Sequence, residues 1–272
     1  MSFYDMHVHS DFSHDGQNKM EEMCAQAAEL GMLGLAFTDH YDVHESVRLD
    51  HIEQSVRKAE ILEKWYEGKL KVLRGVEIGD GVYQKKAWDE AVSKFPFDVV
   101  LGSVHTILTG SGIVPGYSGY RCLESFDGHQ IQLFLTSYYQ NVLHMAQEMD
   151  FDVLTHLTLP LRYLNGYLHR NVTLESQAAI IEQVLKTVIS REIALEINTS
   201  GLNTGWGELM PTREILSLYY SLGGRRITLG SDAHCSDSLG AGLQKGAEVA
   251  KQIGFSDYCY YQNRAAVKVP LA

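Results

Sequence analysis

Residues 98–105 read Asp-Val-Val-Leu-Gly-Ser-Val-His. The run is apolar until its last residues, too short for an independent helix, and rich in valine and leucine, as a strand buried on both faces should be. The same form recurs at Phe3–His9, Leu33–His40, Val72–Ile78, Phe151–Leu157, Ile193–Thr199 and Arg226–His234, which makes seven candidate strands. Amphipathic segments with helix start and stop signals lie between them. Asn18 precedes KMEEMCAQAAEL with Glu21 three residues on, a capping-box spacing, and Gly31 follows. Asp50 with Glu53 opens a second helix that Gly68 closes, Thr173–Ser190 is a third, and Pro211 sits in the first turn of a fourth. Strand followed by helix, repeated about seven times, predicts parallel βαβ units. One closed or nearly closed α/β barrel fits the unbroken rhythm; a doubly wound open sheet is the alternative. Residues Tyr258–Val269 either add a last strand or cap the barrel.

Composition narrows the function. The 272 residues carry 45% hydrophobic and 21% charged side chains, ordinary for a globular chain that buries its own core. The formal charge of −11 offers no broad basic field for a nucleic-acid backbone or an anionic membrane, so neither partner is expected. No apolar stretch long enough to span a bilayer occurs, and the N-terminus shows no signal segment. Cys24, Cys122, Cys235 and Cys259 are far apart and form no CxxC pair, so reduced thiols and a cytoplasmic location are expected.

Histidine occupies only 12 positions, yet five of the seven strand ends carry one. Strand one ends in His7-Val8-His9, strand two in Thr38-Asp39-His40, strand three in Glu77, strand four in His105, strand five in His156 and strand seven in Asp232-Ala233-His234. Residues i and i+2 of a strand share a face, so His7 with His9 and Asp232 with His234 form two-donor claws. In a parallel barrel the strand C-termini line one mouth, where these side chains would converge on metal. His14 and Asp15 compete for a further ligand role in the loop after His9. His51, His129, His144 and His169 fall on helices or loops away from the strand ends, and His44 reads as surface.

The segments DMHVHSDFSHDG, TDH, GVEIGD, GSVH, THL and GSDAH resemble the motifs of the PHP (polymerase and histidinol phosphatase) metal-dependent phosphoesterase family and run from residue 5 to residue 234. LEINTSG (Leu195–Gly201) and the late QNRAAVKVPL look most like the stand-alone histidinol-phosphatases of that family. The resemblance implies a distorted, TIM-barrel-like (βα)7 fold, one domain over residues 1–272, with two or three divalent ions at the strand C-termini. The implied ligands are His7, His9, Asp15, His40, Glu77, His105, His156, Asp232 and His234, with Glu77, Asp232 and His234 central to catalysis. Some relatives place histidine at the Asp15 position, so the set here would be slightly more anionic.

Nine ligands exceed what one ion takes. In multi-metal phosphatases, ions ~3.5–4 Å apart clamp a phosphate while activating water. Glu77, a lone acid among histidines, is the natural bridge between ions, and a mixed imidazole and carboxylate set without thiolate suits Zn, Mn, Fe or Co. Arg162, in the loop after strand five, is the expected phosphate-binding cation, since arginine pairs bidentately with phosphate oxygens. Asn198, Ser200 and Ser103 are candidates to position the phosphate or leaving group. The long glycine-rich segment Thr106–Gln130 reads as a lid or specificity element.

The expected reaction is hydrolysis of a small phosphomonoester, L-histidinol phosphate first, in histidine biosynthesis. Asp11, Asp42 and Asp80 are candidates to face the cationic part of that substrate. A phosphotyrosine or nucleotide phosphatase of the same superfamily is the nearest rival. A barrel amidohydrolase also begins with HxH, but usually ends on a lone aspartate rather than a DxH pair. A non-catalytic metal-stabilised module predicts missing ligands, whereas every expected position here is filled.

Overall fold

The computed structural model describes residues 2–43, 49–109, 112–115 and 120–271. Its strands are β1 (Tyr4–Val8), β2 (Gly34–Phe37), β3 (His40–Asp42), β4 (Lys71–Gly79), β5 (Val99–Ser103), β6 (Thr106–Thr109), β7 (Gly112–Pro115), β8 (Val153–Leu154), β9 (Ala194–Asn198), β10 (Ile227–Gly230), β11 (Asp257–Gln262) and β12 (Ala265–Pro270). Helices α1 (Met20–Glu29), α2 (Leu49–Trp65), α3 (Lys85–Lys94), α4 (Gly128–Glu148), the single turn α5 (Leu159–Leu161), α6 (Ala178–Ser190), α7 (Arg213–Ser221) and α8 (Leu243–Ile253) complete the list.

The parallel sheet runs β1-β2-β4-β5-β8-β9-β10. β3 continues β2 in the same register, since Phe37 faces Arg74 and His40 faces Glu77 on β4. The sheet curls until its edges meet. Asp232 N donates to His7 O at 2.9 Å, His9 N donates to Ala233 O at 2.9 Å, and Val8 bridges Ala233. Asp5 staples this seam by accepting from Ser231 N at 2.9 Å, from the Ser231 hydroxyl and from Gly240 N at 3.1 Å. The seven predicted strands are therefore the seven staves of a (βα)7 barrel, and the open-sheet alternative is set aside.

The barrel interior is layered. At the bottom, Met6, Ala36, Leu73, Leu101, Val153 and Ala194 pack together, and Cys259 and Tyr261 of the β11–β12 hairpin plug them from below. The C-terminal residues thus cap the barrel. Arg264 N and Asn263 N tie the hairpin tip to Asp98 O and Oδ1, each at 2.9 Å. On the outer face, Val72, Val76, Val100, Leu195, Ile197 and Leu229 pack in the helical layer, which explains the near-continuous apolar runs. Polar interior residues begin above the apolar layer, toward the strand C-termini. β1 shifts register between Asp5 and Val8, which lets Met6 serve the apolar layer and the next residue, His7, serve the polar one.

Three helix starts differ from the sequence reading, the first being α6, which begins at Ala178 after a 3-10 turn over Glu175–Gln177 rather than at Thr173. The N-cap of α1 is Lys19, whose N–H donates to Glu22 at 3.1 Å, because Asn18 Oδ1 instead accepts from Ser236 N at 2.9 Å. Pro211 precedes the α7 N-cap, Thr212, rather than lying in the first turn.

Candidate metal centre

Glu77 stands at the centre of the barrel mouth, fully buried. Its Oε1 lies 2.8 Å from His156 Nε2 and 3.1 Å from His105 Nε2. Its Oε2 faces His40 Nδ1 at 3.0 Å, His7 Nε2 at 3.4 Å and His9 Nε2 at 3.6 Å. Asp232 repeats the pattern, with Oδ1 at 3.4 Å from His9 Nε2 and 3.6 Å from His7 Nε2. The two Nε2 atoms of His7 and His9 are only 3.0 Å apart. Toward solvent, Asp15 spans His40 Nε2 at 3.6 Å and His234 Nε2 at 3.2 Å. All nine residues named from the sequence thus meet at one mouth. Asp15 touches the cluster from the loop, and His14 also reaches the mouth, its ring centroid 5.3 Å from that of His40 and its Nε2 3.8 Å from Asp15.

The donor set fits divalent cations. Glu77 Oε2 is buried and finds no hydrogen-bond donor among the described residues, although three imidazole nitrogens surround it. A buried carboxylate oxygen without a donor is costly, and a cation between it and the imidazoles removes that cost. Three overlapping groups place their donor atoms within 4.8 Å of one another: His7–His9–Asp232, His7–Glu77–His156 and His9–His40–His234. A further group, His40–Asp42–His105, has the same closeness.

The electrostatics of these residues without ions follow from their pairing. Burial opposes charge at Glu77, but His105, His7 and His40 outweigh it and hold its carboxyl well below the usual range. Burial likewise opposes charge at His7 and His105, yet Glu196 beside His7 and Asp42 beside His105 lift both imidazoles well above their ordinary value. His40, against burial, is lifted to about 10 by Glu77 and Asp15. His9 moves the other way, pushed well down by burial and by the neighbouring His234 and His40.

Four of the inward-facing imidazoles are held from behind. His7 Nδ1 lies 2.6 Å from Glu196 Oε1, and His105 Nδ1 lies 2.8 Å from Asp42 Oδ1. His9 Nδ1 meets Ser13 Oγ at 3.1 Å, and that hydroxyl donates to Asp39 at 2.9 Å. His234 Nδ1 meets Asp232 O at 2.9 Å. Such partners fix ring orientation and leave Nε2 for a metal. The sequence reading missed Glu196, Ser13 and Asp39. The one trace of Glu196 in the sequence is an acid within an otherwise apolar strand, and its inward facing follows from the barrel rather than from spacing.

The remaining candidates separate. Arg162 is in the site, donating from Nη1 to Asp232 Oδ2 at 3.0 Å and Ser200 Oγ at 2.8 Å, and from Nη2 to Tyr163 OH at 2.8 Å. Ser200 is therefore beside it. Asn198 is fully buried and turned inward: its Nδ2 donates to Glu196 and its Oδ1 accepts from Ser200. Ser103 is buried and donates to Ile78 O at 3.3 Å, away from the mouth. Asp42 and Asp80 are buried and do not line the cavity. Asp42 is paired with His105, and Asp80 accepts from His105 N at 2.8 Å and from Thr106 N at 3.0 Å, so both act on the end of β5. Asp11 is exposed on its loop and does not line the cavity. His51, His129, His144 and His169 are exposed and away from the mouth, as expected. His44 lies outside the described residues, as does part of the expected lid; β6 and β7 are paired antiparallel within it.

A cavity of about 400 Å³ opens over the cluster, with Leu159, Tyr163 and Tyr167 forming a partly apolar wall beside Arg162. Fold and donor set together define a barrel suited to carry divalent ions at its mouth. A family profile for the PHP domain matches residues 5–200. The chain belongs to the PHP domain family. It is 31% identical over 268 residues to a Thermotoga maritima protein named "Probable histidinol-phosphatase", covering 98% of this chain and 99% of the relative. It is 26% identical to the histidinol-phosphatase of Lactococcus lactis over 94% of this chain and 93% of that one. The crystal structure of the histidinol phosphate phosphatase from Lactococcus lactis, complexed with zinc, L-histidinol and phosphate, superposes with a TM-score of 0.82 over 98% of this chain and 100% of that one, at 24% identity. Family membership sets aside the amidohydrolase alternative.

Proposed function

We propose that this protein is a metal-dependent phosphomonoesterase that hydrolyses L-histidinol phosphate to L-histidinol and phosphate. The observation that carries the reading is Glu77, whose two oxygens divide between the His105–His156 pair and the His7–His9–His40 set. Nearly full-length likeness to proteins named histidinol-phosphatase supports the substrate.

Two or three divalent ions would be held by His7, His9, Asp15, His40, Glu77, His105, His156, Asp232 and His234, with zinc first and manganese, iron or cobalt suited to the same donors. Bound in such a set, they would supply Lewis-acid polarisation of phosphoryl oxygens and a lowered pKa, toward 7, for water. The chain's own residues do the rest. Glu77 spaces the two sides of the centre. Arg162 offers its guanidinium to the phosphate, with Ser200 beside it, and Asp232 holds that guanidinium in place. Leu159, Tyr163 and Tyr167 receive the organic part of the ester and keep water from it.

The same proposal takes residues 1–272 as one barrel domain, acting on a small molecule rather than on nucleic acid or a membrane, in the cytoplasm. Among the described residues no helix is long and apolar enough to cross a membrane, and all four cysteines are free. The test is a kinetic panel of phosphomonoesters with metal-analysed protein. Histidinol phosphate should give the highest kcat/KM; a phosphotyrosine peptide or a nucleotide turned over faster would overturn the substrate assignment.

A further inference from the structure

We infer that Glu196 is a positioning residue whose one carboxylate sets both the tautomer of His7 and the place of His156. This rests on the metal reading above. Glu196 stands on β9 between the apolar layer and the mouth and is 1% exposed. Its Oε1 lies 2.6 Å from His7 Nδ1. Its Oε2 accepts from His156 N at 2.7 Å and from Asn198 Nδ2 at 3.2 Å. An ionised carboxylate only accepts, so His7 keeps a proton on Nδ1, and Nε2, which faces Glu77, Asp232 and His9, is the nitrogen left to a metal. His156 is the harder residue to place. Its φ is +22°, a backbone conformation that non-glycine residues seldom adopt, and the Glu196 bond holds its amide there.

Asp15 and Asp232 also each face two imidazole residues, but on the side of the rings that would meet a metal, whereas Glu196 holds its pair from behind. Asp42 backs the ring of His105, and Asp80 accepts from the backbone of that same residue. Glu196 ties His7, on one side of Glu77, to His156, on the other. The facing strand makes room for it. A Cβ on Gly230 would lie 2.2 Å from Glu196 Oε1 and 2.7 Å from His7 Cβ, so β10 must present glycine there.

Glutamine cannot replace Glu196. Its one acceptor oxygen satisfies either His156 N–H or His7 Nδ1–H, and its NH₂ group then meets a donor or forces His7 to protonate Nε2. Glu196→Gln should therefore keep its circular dichroism and melting behaviour but bind one ion fewer, or bind zinc roughly 10- to 100-fold more weakly, in titrations against a competing chelator. A full complement of zinc at wild-type affinity in Glu196→Gln would overturn the inference. A second measurement needs no variant: in zinc-loaded wild-type protein, ¹⁵N-histidine NMR should find His7 protonated at Nδ1. Protonation at Nε2 would overturn the inference equally. If the wild-type protein binds zinc but hydrolyses no phosphomonoester, the functional reading fails, and these zinc and NMR results still decide the role of Glu196.

Discussion

Arg162 Nη1 lies 3.0 Å from Asp232 Oδ2, while the other oxygen of that carboxylate faces His9 at 3.4 Å and His7 at 3.6 Å. One carboxylate thus couples the candidate phosphate-binding cation to the candidate ions. The pair is nearly buried, so the guanidinium is aimed rather than free to wander.

Replacing that guanidinium should damage turnover more than metal binding. Arg162→Met is expected to lower kcat/KM by about 10²–10³-fold, about 2.7–4 kcal/mol, the size seen when one preorganised donor to developing charge is lost. Arg162→Lys should recover only part, since an ammonium cannot form the bidentate pair. Steady-state kinetics with elemental analysis of the same samples check this. Loss of ions in parallel with activity would assign Arg162 to holding Asp232 instead.

Glu77 carries both functions. Glu77→Gln removes the charge that both sides of the centre share and should reduce kcat by two to three orders of magnitude, about 2.7–4 kcal/mol, with a lower metal content. His129→Asn, on an exposed helix end, should leave both unchanged. Equal damage from the two substitutions would contradict the ligand assignment.

Metal uptake should release protons. Without ions, His40 is lifted to about 10 by Glu77 and Asp15 against the effect of burial, and His7 and His105 are also lifted, so these rings hold protons at neutral pH. Ligation needs the free nitrogen lone pair, so binding expels those protons and affinity rises with pH until the His40 value of about 10 is passed. Calorimetric titration with zinc in buffers of different ionisation enthalpy measures the number released. A binding enthalpy independent of buffer would refute this account of the metal-free centre.

The aspartates after the strand ends should sort by what they touch. Asp42→Asn loosens His105 and should weaken metal binding by roughly 10- to 100-fold, whereas Asp11→Asn, on the exposed loop, should alter neither metal content nor KM. A KM effect specific to Asp11 would restore it as a contact to the substrate cation.

These aspartates also show what the sequence revealed and what it hid. Strands buried on both faces read as apolar runs, and a polar residue at the end of such a run has nowhere to point but the mouth. His105 and Glu77 were legible for that reason. Asp42 and Asp80 follow strand ends just as closely, but whether they face the cavity or turn back depends on where the chain goes next, and both turn back to His105. Glu196 was hidden inside LEINT because one acid in a strand carries no spacing signal of its own. Only the barrel shows that Leu195 and Ile197 face helices while Glu196 and Asn198 face inward.

The central claim is that phosphatase activity belongs to a multi-ion centre built around Glu77. The direct measurement is kcat for histidinol phosphate on one preparation as isolated, after exhaustive chelation, and during stepwise return of zinc, with bound metal counted at each step. Activity should vanish on chelation and return only as the second ion per chain binds. Full activity with one ion or none would contradict the account.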